Sequence, residues 1–274
     1  MPRPLIALLT DFGLQDHYVG AMKGVILGLC PDAQLVDITH EISPQNILAA
    51  AFELDAAYRY FPKGTIFVVV IDPGVGSLRR ALAVDTGAYR FVGPDNGVLS
   101  WVVADAAEPA AEPAAEPAAL PRVSELTNPQ YSRETISPTF EGRDRFAPAA
   151  AWLARGVDVA MFGPHLTTLV DLPRPRATRG ASGVEGVVVR VDRFGNLMTN
   201  IERSLFEPGG AEWQVWVDGC LVDLVVSAYA EAPPGALCAL IGSADRLEVA
   251  VNGGSAARRL GVGPGAAVCV RSGA

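Results

Sequence analysis

Metal ligands, nucleophile motifs and basic runs are all scarce in this 274-residue chain. Only three histidines occur, His17, His40 and His165, in unrelated contexts and with no HxxxH or HxH pair. Zinc centres need closely spaced His and Cys ligands, so no metal site is expected. The four cysteines (Cys30, Cys220, Cys238, Cys269) are scattered with no CxxC pair. That spacing argues against a zinc ribbon or a disulfide framework and leaves them as small buried apolar residues. No GxSxG elbow is present, no cysteine has a matching histidine partner, and no glycine loop ends in GK[ST]. No Lys/Arg-rich run occurs and the net charge is −8, so nucleic acid is not expected as a partner. An acidic surface leans towards a cationic small substrate. The first residues, MPRPLIALLTDFG, reach Asp11 too soon for a signal peptide or a membrane span, and nothing further along approaches a span. A cytoplasmic protein with no membrane partner is the expectation.

What is present is an ordinary globular composition, half apolar and 19% charged, on a length suited to two domains. Residues 4–10 and 65–71 are near-continuous apolar runs, the pattern of strands covered on both faces. Helical spacing over 16–29, 45–60, 96–105 and 145–155 alternates with these and with short strands at 34–38, 81–85 and 89–92. The alternation predicts an α/β N-terminal domain over 1–178 with a mostly parallel sheet. Residues 106–119 read AAEPAAEPAAEPAA, whose regular proline forbids a continuous helix and marks a surface insertion. A Pro/Arg/Gly linker lies near 173–183. Beyond it, strands at 184–191, 213–217, 221–226, 236–241, 246–251 and 266–271 predict an all-β domain over 183–274, a small barrel or a sandwich.

Ligands of open α/β sheets bind beyond the C-terminal strand ends. Three polar clusters fall there: Thr10-Asp11-Phe12-Gly13 with Asp16, the loop Asp72 to Arg80, and Thr139-Phe140-Glu141-Gly142-Arg143-Asp144. Each has a plainer reading. Asp11 could cap the next helix, DPGVGS could be a bare turn, and 141–144 could be a surface charge cluster. Converging on one face, the three indicate a pocket. In the second domain, the segment Asp192 to Asn200 reads either as turn chemistry or as a site for a flat heterocycle, because an Asn amide both donates and accepts. His40 reads as a hydrogen-bonded structural residue.

Taken in order, TDFG at 10–13, DITHEISPQN at 37–46, DPGVGSLRR at 72–80, FVGPDNG at 91–97, TFEGRDRFAP at 139–148, DRFGNLMTNI at 192–201 and GSADRLEVAVNGGSAA at 242–257 resemble the S-adenosyl-L-methionine hydroxide adenosyltransferase family, relatives of the fluorinases and chlorinases. The resemblance covers nearly everything but the EPAA insertion. It implies a Rossmann-like domain followed by a β-barrel, a homotrimer with active sites at subunit interfaces, and S-adenosyl-L-methionine as substrate with no separate cofactor. The implied reaction is displacement at ribose C5′ with methionine leaving. Carried over by position, Asp11 would hold the ribose hydroxyls. Asp16, Tyr18, Asp192 and Ser243 would face the methionine end. Asn196, Tyr229 and the backbone at Gly253 would take the adenine, and Phe140 would line the substrate.

The same resemblance bears on the nucleophile. The halogenases' halide-contacting serine falls at Gly142, and their neutral pocket residues fall at Asp72 and Glu141. Counted over Asp72, Arg79 and Glu141, the pocket carries −1. Each added like charge at roughly 4–5 Å would cost a halide about 3–4 kcal/mol at an effective dielectric near 20. Water is therefore the expected nucleophile. Family hydrolases use an Asp, an Arg and a His for it; Asp72 and Arg79 match, and Glu141 occupies the histidine position. Glu141 either takes the proton itself or only orients the water. Capture of substrate with little turnover, and a halide-dependent reaction, remain the competing expectations.

Overall fold

The computed structural model describes residues 3–107, 120–180, 183–205 and 213–272. The chain divides into two compact units, Met1–Pro173 and Arg174–Ala274.

The first unit is built on six strands: β1 (Leu5–Thr10), β2 (Gln34–Thr39), β3 (Ile66–Val70), β4 (Ala81–Asp85), β5 (Arg90–Pro94) and β6 (Arg122–Glu125). Their order is β2-β1-β3-β5-β4-β6. β1 runs parallel to β2 and β3, and β3 parallel to β5, while β4 is antiparallel to both β5 and β6. Three of the five pairings are parallel, as the mostly parallel sheet expected from sequence requires, and the two made by β4 are not. The exception has a simple cause: four residues link β4 to β5, and so short a link joins only antiparallel neighbours. β6, with the single apolar side chain Val123 in RVSE, carried no strand signal of its own.

Helices α1 (Tyr18–Leu29) and α4 (Ala147–Ala154) cover one face, and α2 (Ile47–Ala57) and α3 (Ser100–Ala107) the other. The strand period of two assigns the residues. Ile6, Leu8, Val68 and Val70 pack with Met22 and Ile26, whereas Ala7, Leu9, Phe67 and Val69 pack with Ala50, Leu54 and Val102. Burial on both faces explains the unbroken apolar runs, and each fully buried Leu, Ile or Phe stabilises the sheet by roughly 1.5–3 kcal/mol. α2 starts where Asn46 Oδ1 accepts from the Ala49 amide at 2.9 Å, an N-cap that satisfies a free donor of the first turn. From residue 108 onward, the EPAA segment lies outside the described residues.

The second unit is a nine-stranded sheet: β7 (Thr178–Gly180), β8 (Gly183–Val191), β9 (Leu197–Glu202), β10 (Trp213–Val217), β11 (Cys220–Val222), β12 (Leu224–Val225), β13 (Leu237–Ile241), β14 (Arg246–Val251) and β15 (Ala267–Ser272), with a short helix α5 (Ala256–Leu260). The path runs β11-β10-β15-β8-β9-β14-β13-β12, with β7 paired to β8. Its ends come together, β11 against β13 and β10 against β12, so the barrel is nearly closed. Alternate residues such as Val215, Val217, Leu247, Val249, Val268 and Val270 fill the interior. β9 was hidden in the sequence by its polar residues. They are buried because they serve neighbouring backbone: Thr199 Oγ1 donates to the Leu247 carbonyl, and Asn200 Oδ1 accepts from the Val187 amide. Among the described residues no helix is long and apolar enough to cross a membrane.

Candidate functional site

β1 has β2 on one side and β3 on the other, so the chain reverses direction across the sheet between β1 and β3. Such a switch point opens a crevice beyond the strand ends. Asp11 follows β1 directly, and Asp72 lies two residues past β3. Asp11 does not cap α1, which begins at Tyr18 and has no side-chain cap. Its Oδ2 instead accepts from the Gln45 amide at 2.7 Å. The turn is fastened from β2, where buried His40 meets Thr10 Oγ1 at 2.8 Å and its carbonyl accepts from the Gly13 amide at 2.7 Å. His40 is structural, as the sequence indicated.

The loop after β3 brings Arg79 back onto Asp72. Arg79 Nε donates to Asp72 Oδ1 at 2.8 Å and Nη2 donates to Asp72 Oδ2, a two-pronged pair. The same Nη2 donates to Glu141 Oε2 at 2.7 Å. The three side chains are only 5–10% exposed. Burial works against the charge of Arg79, but the hydrogen bonds and charges of Asp72 and Glu141 outweigh it and raise the guanidinium's pKa. Gly76 makes the loop possible: its φ is +75°, and a Cβ there would lie 2.4 Å from the Pro138 carbonyl oxygen. That contact docks the loop against the segment leading to Glu141.

Glu141 immediately precedes a π-helical turn, Gly142–Phe146, before α4 begins. Such wide turns are uncommon and are frequent at functional sites. The cluster is not a surface run: Glu141 is 8% exposed and Asp144 fully buried. Asp144 holds the segment together, accepting from the Ser137 amide at 2.9 Å and from Arg143 at 2.7 and 2.8 Å. Arg145, which no sequence motif singles out for chemistry, places Nε 3.4 Å from Glu141 Oε2 and donates through Nη1 to the Leu126 carbonyl at 2.7 Å. Two guanidiniums thus face two carboxylates, and the group is formally neutral. The count of −1 from sequence is corrected, since it left out a cation one helical turn on.

The oxygens of this group are not equivalent. Both Asp72 oxygens are engaged by Arg79, and Glu141 Oε2 is shared between Arg79 and Arg145. Glu141 Oε1 alone makes no hydrogen bond within the described residues. Beside the group, Phe12, Tyr18 and Phe140 form an aromatic wall, with ring centroids 5.0 Å apart for Tyr18–Phe140 and 6.0 Å for Phe12–Phe140. Gly142 sits against the same rings, where a Cβ would meet Phe140 at 3.4 Å and Phe12 at 3.5 Å. Asp16 is exposed.

In the second unit, Asp192 Oδ1 accepts from the amides of Phe194 and Asn196 at 2.9 and 2.8 Å. Its Oδ2 accepts from Asn196 Nδ2 at 2.9 Å. The turn-chemistry reading is therefore correct for Asp192, while Asn196 keeps its carbonyl oxygen and one N–H for another partner. Gly195 presses on Ser255, where a Cβ would lie 2.0 Å from Oγ, which sets the Gly253–Ser255 turn beside the Asp192 turn. Gly253 is exposed, with φ +73° and open space where a Cβ would be. Ser243 is exposed at the β13–β14 turn.

Tyr229, 41% exposed, donates its hydroxyl to Glu248 Oε1, a carboxylate set among the apolar residues of LEVAV. A charged residue in mid-strand among apolar neighbours was the available signal. Glu248 is 3% exposed, and Gly242 leaves room for its Oε2. Burial raises its pKa above the ordinary 4.5; the Tyr229 bond opposes the rise, Asp192 adds to it and Arg190 opposes it. Folded protein therefore binds more protons than unfolded protein just above that range. The stability is complete below it and is lost as pH rises through the folded value. Glu248→Gln is expected to shrink the fall in melting temperature between pH 5 and pH 8 by about 2–4 °C per kcal/mol recovered, read by calorimetry. An unchanged fall would remove Glu248 as its source.

Among the described residues no group of three or more His, Cys, Asp and Glu gathers as metal ligands. Comparison with known proteins then gives the lineage. The chain is 38% identical to a protein named (R)-S-adenosyl-L-methionine hydrolase from Salinispora tropica, over 99% of each chain. It is 40% identical to one of the same name from Thermus thermophilus, over 95% of this chain and 96% of that one. A protein named fluorinase from Actinoplanes sp. is 28% identical over 84% of each. The crystal structure of an uncharacterized conserved protein from Thermotoga maritima superposes with a TM-score of 0.85 at 35% identity, covering 97% of this chain and 99% of that one. The SAM hydroxide adenosyltransferase N-terminal domain matches residues 6–163 and the C-terminal domain matches residues 186–269, so the chain belongs to the SAM hydroxide adenosyltransferase family.

Proposed function

We propose that this protein hydrolyses S-adenosyl-L-methionine to adenosine and L-methionine, with Glu141 as the proton acceptor. The observation that carries the reading is the unengaged Oε1 of Glu141, the single oxygen of the buried carboxylate pair left over after Arg79 and Arg145 are served. Water attacks C5′ of the ribose in line with the C5′–S bond, that bond breaks, and its electron pair neutralises the sulfonium as methionine leaves. The proton of the attacking water passes to Oε1. A sulfonium leaves without protonation, so no general acid is required. A carboxylate oxygen at the point of attack attracts the hydrogens of water and repels a halide, which favours water although the group is neutral overall.

The remaining roles follow the family positions. Asp11 Oδ1 accepts from the ribose hydroxyls, and Phe140 with Tyr18 provides apolar walls. Asp16, Asp192 and Ser243 bind the methionine end; Asn196, Tyr229 and the Gly253 backbone bind adenine. Tyr229 suits that role because its bond to Glu248 fixes the ring while leaving it 41% exposed. A homotrimer and a cytoplasmic location belong to the same proposal, the first checked by light scattering.

The test is incubation of the purified protein with S-adenosyl-L-methionine in chloride-free buffer, following products by chromatography. Equimolar adenosine and methionine above the enzyme-free control supports hydrolysis. Binding with no turnover would replace the reading with a capture protein. Turnover that appears only with added chloride would point to a halide nucleophile.

A further inference from the structure

We propose that Arg145 is a positioning residue that adapts this site to a glutamate base, and the inference rests on the hydrolase reading above. Arg145 lies four residues after Glu141, within the π-helical turn, and its Nε is 3.4 Å from Oε2. That nitrogen is buried and has no hydrogen-bond partner, while Nη1 is tied to the Leu126 carbonyl at 2.7 Å. The guanidinium is thus anchored at one end and aimed at Glu141 with the other. A carboxylate held by Arg79 alone could rotate and offer either oxygen. With cations on both sides of Oε2, the rotation is opposed and Oε1 stays directed away from them. Among the described residues, the charged groups against Glu141 are Arg79 from the β3–β4 loop, itself paired with Asp72, and Arg145 from its own turn. Arg145 also cancels the charge that Glu141 brings beside Asp72, so the buried group remains neutral.

A double-mutant cycle tests this. Arg145→Gln is expected to lower kcat about 10-fold with KM unchanged within twofold, and Arg145→Lys to recover most of the loss. In a Glu141→Gln background, Arg145→Gln should cost no further activity. An equal loss in both backgrounds, or a loss confined to KM, would overturn the proposal. A second readout does not depend on turnover. Glu141→Gln leaves two guanidiniums against one carboxylate, so chloride should raise its melting temperature above that of the wild type at matched ionic strength. The gain should vanish in Glu141→Gln/Arg145→Gln. If the wild type proves inactive, the hydrolase reading fails by itself and the chloride response still decides whether Arg145 compensates Glu141. The same response in single and double variants, or none in either, overturns it.

Discussion

Glu141→Gln is expected to lower kcat by at least about 100-fold while leaving KM within twofold, the range general-base catalysis supplies. The substitution nearly preserves shape, so the argument rests on hydrogen-bond inventory. A carboxylate has two acceptor oxygens; here Arg79 donates to Oε2, with Arg145 Nε an ion-pair neighbour at 3.4 Å, and Oε1 remains. An amide has one acceptor and one NH₂. Arg79 claims the acceptor, so the NH₂ faces the nucleophile and presents donors where an acceptor is required. Water can still bind there but cannot lose its proton to the side chain. Substrate contacts elsewhere are untouched, which is why KM holds. Steady-state kinetics at saturating substrate measure this, and a kcat within threefold of wild type would assign the proton to bulk water rather than to Glu141.

Arg79→Leu is expected to abolish turnover and to destabilise the protein by about 3 kcal/mol, the lower end of the cost of breaking a buried pair. Arg79 alone bridges Asp72 and Glu141, and its side chain, like theirs, is at most 10% exposed. Among the described residues, removing it leaves Asp72 without a cation and Glu141 with only the longer Arg145 contact. Water does not readily take its place, because the guanidinium also lies over the Phe146 ring, 5.3 Å from its centroid. Arg79→Lys keeps the charge but loses the two-pronged geometry, so intermediate stability and weak turnover are expected. Urea unfolding measures the difference. A stability within about 0.5 kcal/mol of wild type would mean that solvent, not Arg79, neutralises the carboxylates.

The sequence by itself determined the two-unit architecture and most of the clusters that carry chemistry, because those signals are local. The runs LIALLT and TIFVVVI announce strands covered on both faces, and placing Asp11 and Asp72 after them puts both carboxylates at strand ends. Ordered motifs carried the family, since seven of them in register leave little room for coincidence. Only the tertiary structure decided which atoms remain for chemistry. Asp72 and Glu141 are 69 positions apart, and that Arg79 consumes both oxygens of one and a single oxygen of the other depends on Gly76 docking its loop on Pro138. Arg145 lies at i, i+4 from Glu141, a spacing that sets the two on one helix face, but only the folded structure brings its Nε to 3.4 Å from Glu141 Oε2. Glu248 read as a strand residue until Tyr229, 19 positions earlier, was found bonded to it. Hydrophobic pattern is written residue by residue along the chain, but the charge and hydrogen-bond balance of a buried group is a sum over side chains that only folding brings together.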